Sequence, residues 1–235
     1  TGKRLRKFDD YGKTKNGHSV ILKLCYENFR IIFGGDLNAP AERFLLQSYG
    51  GADQWPEDQF DREVMLARAQ PRFRAEVMKV CHHGSSDVTD EFLEAVNPAA
   101  FVISSGDEEG HVHPRPDLLG RLGKLGRGPA PVLLSTELQR STRDREDVEA
   151  VAKLKADVAR HAADPQSVSL ASIEAAIDAL GGSNVDVDGA IYVKTDGKRL
   201  ICAFKKESGS STDKWFWFEY MVAAETLLLI PRNRH

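Results

Sequence analysis

Ala75-Glu76-Val77-Met78-Lys79-Val80-Cys81-His82-His83-Gly84-Ser85 holds the plan of the molecule in eleven residues. Ala75 to Val80 is a short apolar unit that reads as a strand, and it runs directly into two histidines and a glycine. The same pattern stands on either side of it. Upstream, Phe29-Arg30-Ile31-Ile32-Phe33 is apolar and breaks off at Gly34-Gly35-Asp36-Leu37-Asn38. Downstream, Ala99 to Ser104 is a continuous apolar run, as expected of a strand buried on both faces, and it leads into a loop, Gly106 to Pro114, that carries His111 and His113.

Helical patterns separate these runs. Ala41 to Tyr49 reads as a short helix. Phe92, Leu93 and Val96 follow a Thr89 or Asp90 cap and stop at Asn97-Pro98. A helix around Asp117 to Leu125 precedes another buried strand, Pro131 to Ser135. Ser19 to Tyr26 alternates at the strand period and pairs with Phe29 to Phe33 as a hairpin across Glu27-Asn28. Arg140 to Asp164 and Ser169 to Leu180 are amphipathic helical segments, the second ended by Gly181-Gly182. The last part turns to β character. Ala190 to Lys194 and Lys198 to Phe204 flank Thr195-Asp196-Gly197, a hairpin signal. A Gly/Ser stretch, Ser208 to Thr212, leads to Lys214 to Tyr220, whose alternating aromatics are expected mainly in a core, with base stacking as the alternative. Alternating helices and strands place the chain in the α/β class.

The 235 residues suffice for one large or two small domains. Thirty-two Lys and Arg against 35 Asp and Glu leave a net charge of −3, which excludes polyanion binding through bulk charge. A local basic patch is left by Lys3, Arg4, Arg6, Lys7, Lys13 and Lys15, whose alternatives are phosphate contact or a solvated terminus. Three cysteines, Cys25, Cys81 and Cys202, with no C-x-x-C pair, fit a reducing, cytoplasmic setting. No apolar run approaches the ~18 residues of a membrane span. The chain begins at Thr1 rather than Met, as expected of a processed product or of a piece of something longer.

Asp36, His82, His83, His111 and His113 therefore cluster beyond the carboxyl ends of strands, where sites of α/β sheets assemble. Imidazole and carboxylate are ligands for zinc or manganese. Each residue also has a plain alternative: Asp36 as a turn residue, one packed and one solvated histidine in the pair, and His111 and His113 in a surface loop.

Asn16 to Leu22 with Phe29 to Asp36, Ala75 to Ser85, Glu91 to Gly106, His113 to Leu119, Ala190 to Gly197 and Lys214 to Phe218 together resemble the metallo-β-lactamase-fold hydrolases of the ComEC-like type. The resemblance runs from about Asn16 to Tyr220, weakly across 140–185. It implies a four-layer αββα sandwich, a metal-bridging role for Asp36, direct ligation by His83, and His82 as second ligand or orienting partner. His113 is implied as a substrate-facing acid, the H-P-x-P spacing favouring it over His111. The family's H-x-H-x-D-H loop is absent from the sequence, so residues 1–235 resemble only the carboxyl-terminal half of that domain. Within it, a helical insertion at about 140–182 precedes a closing β-hairpin and tail at about 189–235.

By resemblance the activity is that of a metal-dependent phosphodiesterase or nuclease, with two Zn2+ or Mn2+ ions per complete site and nucleic acid as substrate. The expected partner is the amino-terminal half, as a separate chain or a cleaved fragment, or else another copy of this chain, associating through a large apolar sheet face. Hydrolysis of a small ester, lactone or phosphoester, or a non-catalytic binding role, are the alternatives.

Overall fold

A computed structural model describes residues 6–105, 113–136, 148–182, 190–205, 215–223 and 226–230. Lys3, Arg4, His111, most of the Gly106–Pro114 loop, residues 140–147, the Ser208–Thr212 stretch and Lys214 lie outside the described residues. The chain divides into two units, Thr1–Glu137 with Ala190–His235, and Leu138–Gly189.

The larger unit is mixed α/β. Its first sheet has the order β1 (Leu22–Tyr26), β2 (Phe29–Phe33), β3 (Val77–Lys79), β4 (Ala100–Ile103), β5 (Val132–Ser135). β1 and β2 form the expected antiparallel hairpin, and the remaining pairs are parallel. Parallel neighbours need crossovers, and helices supply them. Before the sheet lies α1 (Tyr11–Gly17); α2 (Ala39–Gly50) and α3 (Gln59–Phe73) connect β2 to β3; α4 (Asp90–Val96) connects β3 to β4; α5 (Pro116–Leu125) connects β4 to β5.

The helix ends follow local chemistry. Asn38 caps α2 by accepting from the Ala41 N–H, and Gly51 closes it in the left-handed region at φ 71°. Thr89 caps α4, its Oγ1 accepting from the Phe92 N–H at 3.2 Å.

One face of the sheet, with Ile32, Met78, Phe101 and Ile103, packs against Leu46, Met65, Phe92, Leu93, Leu118 and Leu122 from the helices. Burying side chains of this size contributes about 1.5–3 kcal/mol each. The other face, with Phe29, Val77, Ala100, Val132 and Leu134, meets a second, antiparallel sheet at Leu200, Cys202 and Tyr220. That sheet has the order β6 (Ile191–Thr195), β7 (Arg199–Lys205), β8 (Trp215–Ala223), β9 (Thr226–Ile230). Two hydrogen bonds tie the sheets together: Tyr220 Oη donates to the Ala99 carbonyl at 3.3 Å, and Asn28 Nδ2 to the Gly197 carbonyl at 3.0 Å. The unit is thus layered as helices, first sheet, second sheet.

The second sheet packs on this face at β2 to β5, while among the described residues Leu22, Leu24, Tyr26 and Phe33 stay exposed. The aromatic strand divides by its period: Phe218 packs with the inter-sheet core, while Trp215 and Trp217 lie on the outer face beside Tyr192.

The smaller unit consists of α6 (Val148–Ala163) and α7 (Leu170–Gly182). Its interhelical turn is closed by His161 Nδ1 donating to the Val168 carbonyl at 2.6 Å. Among the described residues no helix is long and apolar enough to cross a membrane.

Candidate functional site

The parallel register aligns Phe33 with Lys79, and Lys79 with Val102, so the carboxyl ends of β2, β3 and β4 reach one rim of the sheet together. Asp36 follows β2, His82 and His83 follow β3, and Ser104 follows β4.

After Lys79 the chain makes a single tight turn, Cys81–Gly84. Within it His82 and His83 take left-handed backbone angles, φ 48° and 53°. The turn is pinned on both sides: the His82 N–H donates to the Gly35 carbonyl, and the Arg115 N–H donates to the Gly84 carbonyl, each at 2.9 Å. Close approach of the two loops requires Gly34, because a Cβ there would lie 2.3 Å from Cys81 Sγ.

His83 Nε2 lies 3.3 Å from Asp36 Oδ1, with the two side chains 41% and 40% exposed. His83 Nδ1 is 2.7 Å from the Ser104 carbonyl oxygen. A carbonyl only accepts, so Nδ1 carries the hydrogen, and Nε2 of the neutral ring turns a lone pair toward the carboxylate. A lone pair on His83 Nε2 and one on Asp36 Oδ1 thus face each other, and a shared cation would join them. Tetrahedral ligands held at about 2.0–2.1 Å stand about 3.3–3.4 Å apart, so the pair has the spacing of two donors to one metal ion. The carbonyl bond that fixes the ring is the usual means of orienting a metal-binding imidazole.

His82 precedes His83 in the same turn. Its Nε2 is 3.4 Å from Asn16 Nδ2, and its buried Nδ1 has no hydrogen-bond partner among the described residues. The His113 ring lies 5.9 Å from the His82 ring, inclined by 59°. The structure therefore gathers Asp36, His82, His83 and His113 at one rim. Among the described residues, no group of three or more His, Cys, Asp or Glu side chains converges tightly enough to hold a metal ion. The donor chemistry present fits part of a metal site, two donors with one imidazole oriented.

Several supporting residues carry no motif of their own. Ser19 Oγ accepts from the Asp36 N–H at 3.0 Å and holds the aspartate loop. Lys79 points beneath the same loop, its Nζ 3.5 Å from the Gly35 carbonyl; burial pushes its ammonium pKa down, while Cys81 and Asp36 act in the opposite direction. Glu42, fully buried on α2, accepts from the Thr89 N–H at 2.6 Å and from Thr89 Oγ1 at 2.8 Å. Burial raises its carboxyl pKa to about 8, against those two hydrogen bonds. The Cys81 thiol, which begins the histidine turn, is pushed well up by burial and then by Glu42. The Asp90 and Thr89 end of α4, the α2 helix and the histidine turn are thereby joined through one buried carboxyl.

The basic start is partly spoken for. The Arg6 guanidinium lies 4.2 Å over the Phe44 ring, and Lys13 Nζ pairs with Asp9 at 2.8 Å.

The chain matches no family model, no curated protein and no solved structure.

Proposed function

We propose that residues 1–235 are the carboxyl-terminal half of a metal-dependent hydrolase with the four-layer αββα metallo-β-lactamase fold, a phosphodiesterase or nuclease that acts when joined to a half carrying H-x-H-x-D-H. The observation that carries this is the Asp36–His83 pair, a carboxylate and an oriented imidazole 3.3 Å apart at neighbouring strand ends.

Asp36 and His83 would hold the metal, Zn2+ or Mn2+, with His82 as a further ligand or as the ring that orients the others. A divalent cation bound there supplies Lewis-acid stabilisation of the developing oxyanion and an acidified water. The chain's own residues do the rest. Ser19 and the Gly34-Gly35 turn keep the Asp36 carboxylate at the rim, and Ser104 keeps His83 in the tautomer whose Nε2 faces it. His113, whose ring lies 5.9 Å from the His82 ring, would be the acid that protonates a leaving oxygen. The half-open rim, with both side chains about two-fifths exposed, admits a phosphodiester backbone more readily than an enclosed pocket would.

Calorimetric titration of the chain with ZnCl2 and MnCl2 tests the metal assignment. Asp36→Ala and His83→Ala are each expected to weaken binding by about ten-fold or more with the fold retained. Activity is then measured on single-stranded DNA, duplex DNA and bis(p-nitrophenyl) phosphate after addition of a polypeptide carrying H-x-H-x-D-H. Metal affinity untouched by both substitutions, or hydrolysis by the assembled protein that survives Asp36→Ala, would refute the assignment.

A further inference from the structure

β1 is an edge strand without the usual protection. Its residues Leu22, Leu24 and Tyr26 stand opposite Phe33, Ile31 and Phe29, on the face that packs against the second sheet. Yet Leu22, Leu24, Tyr26 and Phe33 are 60%, 57%, 52% and 42% exposed. The second sheet stops short of them.

The outer side of β1 is also unpaired: it ends the sheet, and no described strand lies beyond it. The two-residue turn Glu27-Asn28 makes Tyr26 and Phe29 the closing backbone pair. Alternation then points the N–H and C=O groups of Tyr26, Leu24 and Leu22 toward β2 and those of Lys23 and Cys25 outward. Proteins guard such edges with charge, proline or a bulge. Here all five residues pair in unbroken register, and none is proline. The one charge is turned away, because Lys23 Nζ donates to the carbonyls of Pro71 and Arg72 at 3.3 and 2.9 Å, at the end of α3.

We propose that β1 is a self-pairing edge, along which two copies of this chain join their first sheets antiparallel about a twofold axis at Leu24. In that register Leu24 meets the partner's Leu24, and Leu22 meets the partner's Tyr26, so the exposed apolar stripe becomes a row of cross-strand pairs. The outward backbone groups of Lys23 exchange hydrogen bonds with the partner's Cys25. All five residues overlap, and no like charges oppose. Centring the axis one residue earlier would set Lys23 against the partner's Lys23 and shorten the overlap. The joined sheets form one continuous sheet with neither β1 edge exposed. The proposal goes beyond the metal chemistry and does not depend on it.

The 235-residue chain is examined in the presence of a chelator by size-exclusion chromatography with light scattering, and by treatment with a short bismaleimide. Cys25 is the exposed cysteine, Cys81 and Cys202 being buried. With a rise of about 3.4 Å per residue and a strand spacing of about 4.8 Å, the two Cys25 Cα atoms stand about 8 Å apart, within reach of the reagent. The expected result is a dimer cross-linked through Cys25. Cys25→Ser abolishes the cross-link and leaves the dimer. Leu24→Glu, folded by circular dichroism, weakens association by about ten-fold or more, because two carboxylates then face each other across the axis. A monomer at the highest soluble concentration, a dimer that Cys25 does not cross-link, or a dimer indifferent to Leu24→Glu would overturn the proposal.

Discussion

Glu42→Gln is the substitution that isolates the buried carboxyl behind the histidine turn. With its pKa at about 8, Glu42 is protonated in the folded protein at neutral pH, whereas in the unfolded chain it ionises near its ordinary value of 4.5. Below pH 4.5 both states hold the proton and the group adds no pH dependence. Above it the folded state binds the extra proton, so stability falls as pH rises, and it goes on falling until the folded pKa is passed. Between pH 5 and pH 8 this spans about three units at about 1.4 kcal/mol each, a loss on the order of 4 kcal/mol from this one group.

Gln keeps the shape of the protonated acid, and its carbonyl oxygen accepts the same two hydrogen bonds from Thr89. Urea unfolding of the natural protein and of Glu42→Gln at pH 5, 6.5 and 8, followed by tryptophan fluorescence, gives the difference in unfolding free energy. Other titrating groups cancel in that subtraction. The variant is expected to gain steadily on the natural protein as pH rises. A difference that stays constant across the range would show Glu42 to be ionised when folded, and the coupling of α2, α4 and the histidine turn through a neutral carboxyl would be wrong.

Gly34→Ala is expected to destabilise by about 1–3 kcal/mol through overpacking on Cys81 Sγ, and Cys81→Ala in the same chain to recover most of the loss; urea unfolding of both variants checks this. Tyr220→Phe removes the hydroxyl that reaches the Ala99 carbonyl and is expected to cost about 1 kcal/mol, with faster amide exchange in the second sheet. A change in exchange confined to the helices would mean that the two sheets do not meet through Tyr220.

Much of the first sheet was legible because its apolar runs stop sharply. Phe29–Phe33 matches its expectation to the residue, and β3, β4 and β5 fall within one or two residues of theirs. Thr89 was readable as a cap because its side chain acts only three residues away. Two helices had no such signal. α1 is polar throughout and buries nothing, held instead by Asp10 accepting from the Lys13 N–H. α3 buries only Met65, Ala69 and Phe73 among many charges and carries Pro71 in its last turn, so its periodicity is weak. β9, at Thr226–Ile230, rests on the four-residue apolar run Leu227 to Ile230, too short to carry a period of its own.

For the site, the meeting of Asp36 with His83 follows from parallel neighbours ending at the same level. The contacts that set their geometry do not. Ser19, Asn16, Ser104 and Glu42 act across 17 to 66 residues of sequence, through single hydrogen bonds that leave no local pattern.

The two consecutive left-handed residues, His82 and His83, carry a consequence for how this chain tolerates change. An L-residue with a Cβ gives up on the order of 1 kcal/mol in that region relative to glycine. If stability were the sole demand, glycine would serve better at both positions. The turn keeps two imidazoles instead, so an engineer seeking a sturdier scaffold would find the easiest gain at the two residues on which the proposed metal site leans most.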